Sequence, residues 1–317
     1  MSIKKIMKPK VKVSIVVLTF CRPDELRRNI SEILCLNYEN LEVIVVDNAS
    51  DIPASSIISD PRVKVIRCDE NAGVAGRNVG ILESEGEIVV TLDDDVFGFN
   101  DDSLVRLISY FEKDSSISAI NFKVIDDLDE EQINWIHHRK IEVYGDKTFD
   151  TYEISEGAVA FRREHLMKTS LYPDYFFISH EGPDLAIQII KNDGRVIYLP
   201  DVVVRHAHAA GGRVNWRRYY YDTRNQIWLA VRHYPVSMAA RKLVVGLGAL
   251  FVYSVRDHYF KYFVKAIFDA LKNIGRPCRE RNSLKDLAFE RYKEIESNNP
   301  GVFYMIKKRF FLKGIRI

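Results

Sequence analysis

The segment TLDDDVF, Thr91 to Phe97, sets Asp93, Asp94 and Asp95 side by side at the close of an apolar run. Adjacent carboxylates repel one another unless a cation or a hydrogen-bond network neutralises them. Hard divalent ions such as Mg2+ and Mn2+ take oxygen ligands and are commonly held by one or two carboxylates together with substrate phosphates. A metal and diphosphate site is thus a physical reason for the cluster; the plainer reading is a solvated turn or a helix cap. Two further acids, Glu181 and Asp184, stand in HEGPDLAIQI, where Pro183 opens a helical pattern and puts both near a helix N-terminus. His206 and His208 follow an apolar run in VVVRHAHAAGG, and an imidazole there suits either a structural role or a metal.

These groups need elements to hold them, and the first third of the chain supplies a rhythm. VKVSIVVLTF, LEVIVVDN, VKVIRCD and GEIVVTLDDD are Val- and Ile-rich runs that read as buried strands. RPDELRRNISEILCL and GVAGRNVGILESE lie between them with apolar residues at helical spacing, the first opened by Pro23 and acids. Alternation of this kind predicts a mostly parallel sheet flanked by helices. Ligands of such sheets bind beyond the carboxyl ends of the strands, where Thr19, Arg22, Asp47, Asn48 and the three aspartates fall.

Several classes are excluded. No GxxxxGK[ST] occurs, so a P-loop is absent, and NAGVAGRNVG lacks the GxGxxG spacing of a dinucleotide fold. Cys21, Cys35, Cys68 and Cys278 are scattered without CxxC spacing, which suggests neither a zinc site nor a disulfide framework. The start, MSIKKIMKPKVKV, lacks the long apolar stretch of a signal peptide, so a cytoplasmic location is expected.

The motifs VSIVVLTFCRPDEL, EVIVVDNAS, NAGVAGRNVGI, VTLDDDV, EGAVAFRREHL, HEGPDLAIQI and VVVRHAH…RRYYYDTRNQIWL occur in an order that resembles glycosyltransferase family 2. The resemblance runs from about Val13 to Arg232 and implies a GT-A, Rossmann-like fold and an inverting, metal-dependent transfer of sugar from a nucleoside diphosphate. It implies that Thr19, Phe20 and Arg22 form the start of the nucleotide site, that Asp47 meets the base or its neighbourhood, and that Arg77 and Asn78 approach the diphosphate and ribose. Asp93 and Asp95 match the family's DxD acids, Asp95 as the direct ligand of Mn2+ or Mg2+ and Asp93 nearer the ribose or sugar, with Asp94 in support. His206 matches a histidine that contacts the metal or diphosphate, Gly157 a residue under the donor sugar, and Arg213 a clamp on the leaving group. The family writes its base region as Glu-Asp-x-Asp; here the second position is Gly182, so the base falls to Glu181 or to Asp184.

Residues 1–235 are expected to form the catalytic domain, with a nucleotide-binding half over about 11–97 and an acceptor half over about 98–235. Residues 236–317 form a basic amphipathic helical region. From Arg241 onward there are 17 lysines and arginines against 7 acids, and 29 against 37 before it, so the net charge of +2 hides a basic tail. Leu243–Val255 is an apolar run too short to span a bilayer, followed by Lys261, Lys265, Asp269 and Lys272 on a helical stripe. Peripheral contact with an anionic membrane is one reading and packing against another subunit the other, so an oligomer is an open expectation; no nucleic-acid motif accompanies the charge.

The expected function is transfer from a UDP-sugar, or dTDP-rhamnose, to a glycan or lipid-linked acceptor in cell-surface polysaccharide synthesis. Two alternatives stand beside it. A sugar-phosphate nucleotidyltransferase would share the sheet and metal acids but carry a GxGTR-type start, and a non-catalytic binding protein of the same fold would be consistent with Gly182.

Overall fold

Residues 11–133, 135–207, 215–301 and 304 are described by a computed structural model. The four sequence-predicted runs become β1 (Val13–Thr19), β2 (Leu41–Asp47), β3 (Val63–Arg67) and β4 (Ile88–Asp93). They pair in parallel in the order β3-β2-β1-β4, with Thr19 opposite Asp47 and Leu18 opposite Asp93. Their carboxyl ends therefore line up along one edge, and every β1 residue from Val13 to Val17 is buried. Helix α1 (Pro23–Ile33) carries Asp24 and Glu25 in its first turn, where they complement the helix dipole, and buries Leu26, Ile30 and Ile33 against the sheet. Helix α2 (Arg77–Glu83) covers the opposite face and brings Ile81 into a second core layer with Val16, Ile44 and Val46.

The remainder adds antiparallel pairings to the mostly parallel sheet that the runs predict. After the two-residue β5 (Val96–Phe97) and helix α3 (Asp101–Lys113) come β6 (Ile117–Asp126), the short helix α4 (Ile141–Tyr144), β7 (Phe149–Asp150) and β8 (Ala158–Arg162). The path β3-β2-β1-β4-β8-β6-β9-β5 completes the sheet, with β9 spanning Arg195–His206 and β7 pairing on β9. β8 runs antiparallel to both β4 and β6, whereas β6 and β9 are parallel. The sheet is mixed because β8 is threaded between β4 and β6 against their direction, an insertion that no local pattern in β8 announces.

Between β8 and β9 lie the one-turn helix α5 (Arg163–Leu166) and helix α6 (Glu181–Lys191), which buries Leu185, Ala186 and Ile189 on the sheet. The helical end of the chain comprises α7 (Asn215–His233), α8 (Val236–Arg256), α9 (Phe260–Lys272), α10 (Gly275–Arg279) and α11 (Asp286–Ser297). α7 joins the two parts: Trp228 packs with Phe176 and Ala270, and Leu229 and Tyr234 pack with Ile187, Ile190 and Tyr292. α8 is a continuous helix of 21 residues, longer than its apolar run suggested, and by length and composition it could cross a membrane. It lies against α7 and α9 through Leu250 and Tyr253, while Val244, Val245, Phe251, Val252 and Val255 face outward.

Candidate active site

The three aspartates are separated by their backbone. Asp93 ends β4, Asp94 and Asp95 form the turn, and β5 then pairs antiparallel with the end of β9, placing Val96 opposite His206. That pairing carries His206 to Asp95: Nε2 lies 3.1 Å from Asp95 Oδ1, and the Ala207 amide donates to the Asp95 carbonyl at 3.0 Å. Asn29 of α1 donates its Nδ2 to the carbonyls of Val96 at 2.5 Å and Asp93 at 3.3 Å, which fixes the turn from below.

Asp93, Asp95 and His206 each offer one ligand atom, and these atoms lie within 4.8 Å of one another. Two carboxylates and an imidazole form a donor set that suits a divalent ion such as Mn2+, and Mg2+ to the extent that oxygens dominate. The residues present thus fit the metal that the acidic cluster implied.

Guanidinium groups balance the acids. Arg22 donates to Asp94 at 3.0 Å and pairs with Asp95, and Thr19 Oγ1 donates to Asp94 Oδ2 at 2.7 Å. Burial pushes the Asp94 carboxyl up to about 6 against the pull of Arg22 and Thr19. Burial also opposes the charge of Asp95, but the hydrogen bond and charge of His206, aided by Arg22, outweigh it and hold Asp95 below the ordinary carboxylate value. The same contact works on His206, where burial is overcome by Asp95 and the imidazole sits above its usual value.

Arg77, only 3% exposed, pairs with Asp93, and its Nε has no hydrogen-bond partner among the described residues. Its charge is favoured, against burial, by Asp93 and then by Tyr172, Glu156 and Glu181. Gly157 explains how Asp93 gets so close to the next strand: a Cβ there would overlap the Asp93 carboxylate, while the Gly157 carbonyl accepts from the Asp93 amide at 3.1 Å. Glu156, half-buried beside it, was overlooked by the motif reading although it stands in EGAVAFRREHL. Burial pushes its carboxyl up to about 8, with the charge of Glu181 adding to the effect. An acid placed directly before a glycine that must pack on Asp93 was the signal available.

Glu181 opens α6 and is 3% exposed. The backbone leading to it is strained, with Phe177, Ser179 and His180 all at positive φ (66°, 78° and 67°). α7 holds that conformation: Asn225 Nδ2 donates to the carbonyls of Phe176, Ile178 and Ser179 at 2.9, 2.8 and 2.8 Å, and Arg224 to those of Tyr175 and Phe176 at 3.1 and 2.7 Å. Asp184, fully buried one turn into α6, is engaged elsewhere. Its Oδ1 lies 2.7 Å from His233 Nε2 and 2.8 Å from Arg232 Nε, and Gln188 donates to its Oδ2 at 2.7 Å. Lys191 Nζ lies 2.9 Å from His233 Nδ1, so a neutral ring accepts from Lys191 and donates to Asp184.

Other sequence-predicted residues have partners of their own. Asp47 accepts from the Ser50 and Ala54 amides at 2.8 and 3.0 Å and from Arg67 at 2.6 Å, the turn-capping arrangement its NASD context allowed. Asn78 exchanges hydrogen bonds with the Tyr172 backbone at 2.8 and 3.2 Å. Phe20 is 45% exposed on the rim. Beside it a cavity of about 130 Å³ is lined by Thr19, Arg22, Ser50, Asp51, Ile52 and Ala54, next to the carboxyl ends of β1 and β2. Arg213 and His208 lie outside the described residues.

Residues 14–169 match the family described as glycosyl transferase family 2. An uncharacterized glycosyltransferase, YwdF, of Bacillus subtilis is 33% identical over 93 residues, covering 27% of this chain and 34% of that protein. The O-antigen chain rhamnosyltransferase RfbN of Salmonella typhimurium is 23% identical over 195 residues, covering 56% of this chain and 61% of its own. The chain thus spans about a third of the Bacillus relative. In fold it is similar to the mannosyltransferase PcManGT from Pyrobaculum calidifontis, solved in complex with GDP-Man and Mn2+, at 17% identity and a TM-score of 0.55, covering 96% of this chain and 88% of that one.

Proposed function

We propose, for a chain that belongs to glycosyl transferase family 2 through residues 14–169, that it transfers a sugar from a nucleoside diphosphate donor to a glycan or lipid-linked acceptor with inversion at the anomeric carbon. The observation that carries this reading is the Asp93, Asp95 and His206 group at the carboxyl ends of β4 and β9. A divalent metal held there would neutralise the diphosphate as it leaves.

The protein's own residues supply the rest. The cavity beside Thr19, Arg22 and Ser50 has the position and the size for part of a nucleoside, with Asp47 shaping its wall through the Ser50 and Ala54 amides. Arg22 and Arg77 bring positive charge to the place where the diphosphate would lie. Phe20, Asn78 and Gly157 complete the donor site in this reading, Asn78 through the Tyr172 backbone and Gly157 by its close approach to Asp93; Arg213 retains its expected role as a clamp on the leaving group. The proton of the attacking hydroxyl goes to a carboxylate near Glu181, at the start of α6, because Asp184 is already bound to Arg232 and His233. A UDP-sugar is the first donor to test and dTDP-rhamnose the second, in keeping with the rhamnosyltransferase relative.

The exposed face of α8 supports a location at the inner surface of a membrane, where a lipid-linked acceptor for surface polysaccharide would be found. Val244, Val245, Phe251, Val252 and Val255 form an apolar stripe between Arg241 and Arg256, and Phe260 of α9 extends it at 5.7 Å from the Phe251 ring. Basic ends around an apolar face suit an anionic interface.

The deciding experiment is a calorimetric screen of nucleoside diphosphates and nucleotide sugars, with and without Mn2+, on wild type and Asp95→Ala. Metal-dependent binding of one nucleotide family, lost in the variant, is the expected outcome. No binding to any of them would overturn the reading.

A further inference from the structure

Three carboxylates surround the buried Arg77, and they are not equivalent. Asp93 pairs with it and belongs to the metal group. Glu181 is buried at the root of α6. Of the two outside the metal group, Glu156 is the one with part of its surface open, and it stands directly before the glycine that packs on Asp93.

The backbone around Glu156 is pinned on both sides. Thr91 Oγ1, on β4 two residues before Asp93, donates to the Glu156 carbonyl at 2.7 Å. Asn121 of β6 accepts from the Ser155 amide at 2.8 Å and donates to the Glu153 carbonyl at 3.0 Å. The backbone from which this carboxylate projects is therefore held in place before any ligand arrives.

Gly182 provides the second, independent observation. A Cβ at that position would overlap Glu156 Oε1 and the Ile154 carbonyl. The first turn of α6 thus lacks a side chain at the place where the Glu156 carboxylate comes to rest. The substitution that removes one acid from the start of α6 makes room for an acid arriving from a different strand connection.

We infer that Glu156 is a catalytic residue, the carboxylate that touches the attacking hydroxyl and accepts its proton, with Glu181 behind it as a positioning residue. The inference rests on the glycosyl-transfer reading above. In the step, the acceptor oxygen bonds to the anomeric carbon while the bond from that carbon to the diphosphate oxygen breaks. The leaving diphosphate keeps the electron pair, and the hydroxyl proton passes to an oxygen of Glu156 in its ionised form, which burial and Glu181 oppose and Arg77 favours, so turnover should rise with pH toward about 8. With water as acceptor the same step yields free sugar and nucleoside diphosphate.

The test uses the full chain with Mn2+ and the nucleotide sugar that binds it best, measuring donor affinity by calorimetry and nucleoside diphosphate release with water as acceptor. Glu156→Gln keeps shape and should leave donor affinity within about twofold while lowering turnover by roughly a hundredfold or more. Glu181→Gln should keep a larger share of turnover than Glu156→Gln. Unchanged turnover in Glu156→Gln, or a loss in Glu181→Gln that matches or exceeds it, overturns the inference. A wild type that binds donor but releases no diphosphate overturns it as well. A wild type that binds no nucleotide sugar removes the glycosyl-transfer reading first, and this inference with it.

Discussion

Asn225, in the middle of α7, donates a hydrogen bond from Nδ2 to the carbonyl of Ser179 at 2.8 Å, and Ser179 in turn donates through Oγ to Asp222 Oδ1, one turn earlier on the same helix, at 2.7 Å. Asn225 also reaches the Phe176 and Ile178 carbonyls, so its two amide hydrogens, one of them shared, serve three acceptors in a segment with three residues at positive φ. Asn225→Ala should leave the Ile178 and Ser179 carbonyls without this donor, while Phe176 keeps Arg224, and cost about 1–3 kcal/mol for each one that water cannot reach. The melting temperature should fall, and because the segment sets the start of α6, turnover should fall more than donor affinity. Donor affinity falling as much as turnover would show that the segment serves the nucleotide site instead.

Asp184 should behave as a structural ion. Burial opposes its charge, but His233, Arg232 and the hydrogen bond from Gln188 together hold its pKa below the usual carboxylate value. A carboxyl depressed on folding contributes stability that is present above the unfolded value of about 3.9 and lost as pH falls through the folded value. Asp184→Asn should therefore destabilise at neutral pH, since it removes the charge that Arg232 and His233 face in the buried site and leaves Arg232 with Glu280 as its remaining ion-pair partner. The gap between wild type and variant in urea unfolding should narrow below about pH 4. A gap that stays constant down to pH 3 would mean that packing, and not charge, is what the residue provides.

Metal removal and removal of its ligands should have the same effect on the donor. Chelation of wild type, Asp95→Ala and His206→Ala should each abolish the thermal stabilisation given by a nucleotide sugar with Mn2+, because stabilisation follows ligand concentration over its dissociation constant. Asp94→Asn should be milder, since Asp94 bonds to Thr19 and Arg22 and stands outside the metal group. Equal loss in all three variants would give Asp94 a direct part in metal binding.

The α8 stripe gives a prediction independent of the chemistry. Wild type should float with vesicles containing phosphatidylglycerol and much less with vesicles of phosphatidylcholine alone, with binding that weakens as salt rises. Val244→Glu with Val252→Glu, both on the exposed face, should abolish flotation and leave donor binding intact. A concentration-dependent dimer in wild type that the same pair of substitutions dissociates, without any flotation, would assign the stripe to a second copy.

The parallel half of the fold was readable in the sequence because each buried strand there is a continuous Val and Ile run followed by polar residues at one end. The other half was not, because β8 and β9 carry no mark of the direction in which they enter the sheet; β8 became antiparallel through its pairing with both β4 and β6. At the site, the acidic cluster was visible from residue type, whereas the role of His206 came from the resemblance to the family, since an imidazole after a strand suits a structural role as well. Glu156 was hidden because its significance depends on the space at Gly182, a contact between distant segments. Asp47 and Asn78 show the opposite limit: each has a residue type suited to a ligand, yet local geometry engages both with backbone groups.

The pairing of β5 with the end of β9 brings His206 to Asp95 across a long stretch of intervening chain. Between them in sequence come α3, β6, β8 and α6, so no fragment that stops short of β9 contains the complete ligand set. Affinity for a metal at this group therefore reports on assembly, because the group is complete only once β9 has paired with β6 and β5. A chain still emerging during synthesis would lack the complete group until β9 had been made, and the long-range pairing it depends on is of the kind that costs loop-closure entropy before it is rewarded.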